Sequence, residues 1–92
     1  MSETVVRLEI RGRVQGVGFR WAMVEQARRL GLCGWVRNRD DGSVEAMVAG
    51  TPETVDLIVA WARKGPRAAR VGAVAVFAGA GTFGSFDARP TT

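Results

Sequence analysis

The spacing of the apolar residues changes period along this chain, and the order of those changes most restricts its fold. Val6, Leu8 and Ile10 alternate with Arg7, Glu9 and Arg11, the period of a strand with one wet face. Gly12 to Gly18 follows as a loop holding three glycines. From Phe19 the period becomes helical, because Phe19, Met23, Ala27 and Leu30 are spaced four, four and three apart. Arg28 and Arg29 fall in the last turn and Gly31 follows, as expected at a helix C-terminus.

Leu32 to Arg39 reads as a second strand centred on Trp35 and Val36. Asp40-Asp41-Gly42 is a turn signal, and Val44, Ala46 and Val48 alternate behind it, so the two strands form a hairpin. Thr51-Pro52 supplies an N-cap and a proline at the first helical position. The stripe of that second helix is Val55, Ile58, Val59 and Ala62, and Gly65-Pro66 stops it. Val71 to Phe77 reads as a fourth strand, and a glycine-rich link leads to a short extended tail at Ser85 to Arg89.

The order β-α-β-β-α-β is the split βαβ, or ferredoxin-like, arrangement of the α+β class. It predicts an antiparallel four-stranded sheet, with room for a short fifth strand in the tail, and two helices on one face. In this arrangement the first strand and the strand ending at Asn38 would lie side by side, bringing Asn38 near the 15–20 loop. A chain of 92 residues is expected to form one domain over residues 1–92. No apolar stretch is long enough to cross a membrane, and residues 1–10 lack the pattern of a signal peptide. The expectation is a cytoplasmic monomer. The fold hosts many unrelated functions, so function must come from a site.

Composition narrows the chemistry of that site. The chain has no histidine, which excludes Ser-His-Asp and Cys-His relays, a histidine general base and a histidine metal site. Cys33 is the only cysteine, so neither an internal disulfide nor a thiolate zinc site is available. No metal and no cofactor is expected. The net charge of +4 is carried almost wholly by arginine, Lys64 being the only lysine, and suggests an anionic partner.

Two places break local rules. Gln15-Gly16-Val17-Gly18-Phe19-Arg20 runs from a strand end into a helix start, and glycines at 16 and 18 permit positive φ. Successive backbone N–H groups there can turn inward as an anion-binding nest, at the positive end of the helix. Arg20 places a guanidinium in the first turn, where a cation opposes the dipole by roughly 0.3–1 kcal/mol. A bound phosphate relieves both conflicts; the plainer reading is a strand-to-helix loop with a solvated arginine. The second place is Asn38, near the end of an otherwise apolar and arginine-bearing strand. Turn chemistry before Asp40-Asp41-Gly42 accounts for it as well as a neutral amide holding a water does.

The string Gly12-Arg13-Val14-Gln15-Gly16-Val17-Gly18-Phe19-Arg20 resembles the signature loop of the acylphosphatase family. Gly34-Trp35-Val36-Arg37-Asn38, with Asp41-Gly42-Ser43-Val44-Glu45, is similar to the family's second block, and Gly65-Pro66 to Arg70-Val71 is also family-like. The resemblance covers most of residues 4–77. It implies a ferredoxin-like fold that hydrolyses the carboxyl–phosphate bond of acyl phosphates without metal or cofactor. It also implies that Arg20 binds the phosphoryl group and Asn38 positions the attacking water. The tail departs from the pattern, and no tyrosine occurs in the chain. Two alternatives stand beside this reading. One is a non-catalytic anion-binding or carbamoyl-phosphate-handling relative. The other is a basic nucleic-acid-binding module of the same element order, although the aromatic signature of RNA recognition motifs is missing.

Overall fold

The structure, a computed structural model, describes residues 3–92. Strand β1 (Thr4–Arg13) leads through a short loop into helix α1 (Phe19–Arg29), followed by β2 (Cys33–Asn38) and β3 (Val44–Gly50). Helix α2 (Pro52–Lys64) and strands β4 (Arg70–Ala78) and β5 (Phe86–Arg89) complete the order. The alternation in β1 is the cause of its two faces: Leu8 and Ile10 are fully buried, whereas Arg7, Glu9 and Arg11 face away from the helices. On α1 the stripe Phe19, Met23 and Ala27 is buried against the sheet, and Leu30 is half-buried beyond it. On α2, Thr51 caps the start by accepting a hydrogen bond from the Thr54 N–H at 3.3 Å. Val55, Ile58 and Ala62 of that helix close the core. No helix of the described residues is long and apolar enough to cross a membrane.

The sheet has five strands in the order β4-β1-β3-β2-β5, and it is mixed rather than wholly antiparallel. The ferredoxin-like expectation holds for its first four strands, all paired antiparallel. The tail at Ser85 to Arg89 adds more than a marginal edge. Residues Phe86–Arg89 run parallel to β2, from Gly34 opposite Phe86 to Arg37 opposite Arg89. Phe86 is 1% exposed, and Arg28 of α1 donates from Nε to its carbonyl oxygen at 3.1 Å. Phe86→Ala is therefore expected to lower stability by about 3–5 kcal/mol, the range for truncating a buried aromatic. Urea unfolding measures this directly; an unchanged midpoint would show that the tail lies outside the core.

A second expectation needs correcting. β1 and β2 are not neighbours, because the β2–β3 hairpin inserts β3 between them. The 15–20 loop and the end of β2 meet by another route, through a side chain of the loop itself.

Candidate active site

Val14 and Phe19 are buried at 1% and 2% exposure and anchor the two ends of the loop between β1 and α1. Between these anchors, Gly16 (φ 72°) and Gly18 (φ 78°) take left-handed conformations. A Cβ at either would meet nothing within 4 Å, so the backbone angle, not crowding, demands glycine. Gly18 is the N-cap of α1 and offers no side-chain acceptor. The first helical bond is from Ala22 N–H to the Gly18 oxygen at 3.1 Å. Among the described residues, the backbone N–H groups of residues 15–20 have no hydrogen-bond acceptor. The first turn of α1 contains no acidic residue either.

Arg20 stands in that turn, half-buried. The other half-buried arginines, Arg7, Arg37 and Arg39, each form ion pairs with a carboxylate. Arg20 alone of these four makes no ion pair or side-chain hydrogen bond among the described residues. An uncapped helix N-terminus, two left-handed glycines and an unpaired guanidinium thus share one short segment. Each part favours negative charge at the same place.

Gln15 makes the connection that strand order does not. Its Nε2 donates to the carbonyl oxygens of Arg39 and Ser43, at 2.8 and 2.9 Å. Those two residues close the β2–β3 turn, where Arg39 N–H also donates to the Ser43 oxygen at 2.9 Å. With its side-chain amide engaged on the turn, Gln15 is left with its main-chain N–H for an anion. Asp41 belongs to the turn as well: its Oδ1 accepts from the Ser43 hydroxyl at 2.6 Å and the Ser43 N–H at 2.9 Å. Those bonds, aided by the charges of Arg11 and Arg39, hold the Asp41 carboxyl below its usual range. A carboxylate so stabilised is a weak base, and it serves the turn.

Asn38 is the last residue of β2 and is half-buried. Alternation puts it on the same sheet face as the fully buried Val36, the face covered by α1, whereas Arg37 points the other way. Its main-chain oxygen accepts from Thr92 N–H at 3.1 Å, and Asp40 N–H donates back to the Thr92 oxygen at 2.9 Å. The carboxamide forms no hydrogen bond with another described residue. It thus remains available to a water or a substrate. The turn accounts for Asp41 and Ser43; it does not engage the Asn38 side chain.

Sequence reasoning misses the Gln15 link, which no local pattern announces, and it misses Glu45. Glu45 alternates with core residues, so it reads as a wet-face residue, yet it is 4% exposed. The usable signal is the hairpin register, which sets Arg37 opposite Glu45. The three tryptophans divide into packed and exposed positions. Trp35 is buried beneath the guanidinium groups of Arg37 and Arg89, 4.7 and 5.0 Å from its ring, and Trp61 tilts against Phe19. Trp21, however, is 72% exposed. It occupies the outward side of α1, opposite the buried stripe of Phe19 and Met23.

The acylphosphatase family model matches residues 6–87 of the chain. An acylphosphatase of Azoarcus sp. (strain BH72) is 56% identical over 85 residues, covering 91% of this chain and 87% of that protein. The acylphosphatase of Thermococcus kodakarensis is 54% identical over 76 residues, covering 83% and 84% respectively. The solved acylphosphatase structure from Coxiella burnetii superposes with a TM-score of 0.91 at 32% identity, covering 95% of this chain and 93% of that one.

Proposed function

The chain belongs to the acylphosphatase family, and from that premise we propose that it hydrolyses the carboxyl–phosphate bond of acyl phosphates at the 15–20 loop. Residues 1–92 act as one domain and as a monomer. The observation that carries the site assignment is Arg20, a half-buried guanidinium without an acidic partner among the described residues, in the uncapped first turn of α1. The phosphoryl group is held by that guanidinium and by the main-chain N–H groups of Gln15, Gly16, Val17, Gly18, Phe19 and Arg20. Asn38 holds a water through its carboxamide.

The reaction asks little else of the protein. The water oxygen attacks phosphorus, the bond from phosphorus to the acyl oxygen breaks, and the carboxylate leaves with the electron pair. A carboxylate is a weak base, so its departure needs no general acid. The proton lost by the water passes to a phosphoryl oxygen, giving inorganic phosphate. The protein supplies position and charge stabilisation, which dominate phosphoryl transfer. Arg20 and the loop amides oppose the negative charge on the phosphoryl oxygens, and no histidine is required.

Purified protein is expected to release benzoate and phosphate from benzoyl phosphate, at the same rate with and without EDTA. Absence of turnover, with phosphate still bound, would favour the non-catalytic alternative. Loss of rate on chelation would overturn the metal-free mechanism. A carbamoyl phosphate specialist would instead prefer that substrate strongly over benzoyl and acetyl phosphate. The nucleic-acid alternative lacks the aromatic platform of RNA recognition motifs on the central strand β3, which carries no aromatic residue.

A further inference from the structure

Glu45 is the only charged residue buried among the described residues, and the chemistry above gives it no task. It lies on β3 between Val44 and Ala46, facing away from the helices. Its Oε1 accepts from Arg37 Nε at 2.8 Å and from Arg39 Nη1 at 3.1 Å, and Arg37 Nη2 stands 2.7 Å from the same oxygen as an ion pair. Its Oε2 accepts from Arg7 Nη1 at 3.2 Å, and Arg7 also pairs with Glu9 at 3.0 Å. Burial opposes ionisation of Glu45, but the hydrogen bond and charge of Arg37, with Arg39 and Arg7, outweigh it and hold the carboxyl below its usual range. Stability alone does not account for such a group, because replacing a buried ion pair by apolar residues is often neutral or stabilising.

The geometry offers a different account. Arg37 and Arg39 stand on either side of Asn38, and one oxygen of Glu45 holds both. Asn38 is the last residue of β2 and of its pairing with β3, and the chain turns immediately after it. Anchoring the residues before and after it fixes the peptide planes on both sides, and hence the direction of the carboxamide on the opposite face. Gln15 holds the same segment from the loop side, through the Arg39 oxygen. We propose that Glu45 is a positioning residue for Asn38, aiming its carboxamide across the sheet through Arg37 and Arg39. The proposal rests on the assignment of Asn38 to the attacking water.

The test is a double-mutant cycle on benzoyl phosphate hydrolysis, with inorganic phosphate as competitive inhibitor. Glu45→Gln, which keeps the shape and removes the charge, is expected to lower kcat by about tenfold, because misplacement of a reacting group by a fraction of an ångström costs rate rather than affinity. The phosphate inhibition constant should stay within about twofold, since the cradle is untouched. In an Asn38→Ala background, Glu45→Gln should lower kcat no further, a coupling that a general structural defect would not produce. Arg39→Met removes one anchor while Glu45 keeps Arg37 and Arg7, and it carries the same expectations should Glu45→Gln fail to fold. Full kcat in Glu45→Gln beside a slow Asn38→Ala overturns the proposal alone, as do losses that multiply in the double variant. A wild-type rate in Asn38→Ala overturns the water assignment first, and this proposal with it.

Discussion

Arg20→Ala is expected to remove measurable turnover of benzoyl phosphate and to weaken inorganic phosphate as an inhibitor in parallel. The guanidinium is the only side-chain cation proposed to touch the phosphoryl group. A planar fork gives two charge-assisted hydrogen bonds to phosphate oxygens, and no neighbour replaces it. Arginines that stabilise a transferring phosphoryl group contribute roughly 10³–10⁵ in rate, so kcat/KM should fall by at least about a thousandfold, near 4 kcal/mol. Arg20→Lys should recover only part of this, since an ammonium supplies charge without the fork. Stability should move the other way. Arg20 opposes the dipole of α1 and has no acidic partner among the described residues, so its removal is expected to leave the melting temperature unchanged or slightly raised. A variant that retained more than about a tenth of wild-type kcat/KM would place phosphate binding elsewhere.

The same conflict with the dipole makes Arg20 legible from the order of residues alone. A cation at a helix N-terminus breaks a local rule, and rule-breaking marks sites. Both helices and the hairpin are legible too, because their apolar stripes and turn residues act locally: Phe19, Met23 and Ala27 repeat with the helix, and Asp40-Asp41-Gly42 bends the chain. What the sequence conceals is non-local. Strand β5 owes its place to Phe86, one aromatic in a short polar tail, and only the open edge of β2 makes that residue a core residue. The adjacency expected of β1 and β2 fails because hairpin formation and strand order are separate decisions, and β1 takes β3 as partner. Gln15 and Glu45 are hidden for a related reason. Each is ordinary in its own segment and acquires a task only from partners elsewhere: carbonyls 24 and 28 residues away for Gln15, and for Glu45 the arginines that the hairpin sets against it, Arg37 and Arg39, 8 and 6 residues away. Asn38 lies between these cases: its neighbours explain a turn, and only its unengaged carboxamide on the α1 face separates it from one.

Asn38→Ala is expected to lower kcat by about a hundredfold while the phosphate inhibition constant stays close to that of the wild type, because the variant misplaces the water and leaves the anion cradle whole. That split between rate and affinity distinguishes Asn38 from Arg20, whose loss degrades both. The variant should fold normally, since the main-chain oxygen keeps its bond from Thr92 and the carboxamide has no partner among the described residues to lose. Asn38→Asp sharpens the test. It is nearly isosteric and still accepts a hydrogen bond from water, but it sets a carboxylate beside a phosphoryl dianion and loses the amide donor. Like charges at such range disfavour one another, so this variant is expected to bind phosphate more weakly than Asn38→Ala does, and increasingly so as pH rises through the carboxyl's titration. Equal loss of phosphate affinity and kcat in Asn38→Ala would make Asn38 part of the cradle. An unchanged kcat would remove it from the reaction and leave the water to be held by the phosphate's own oxygens.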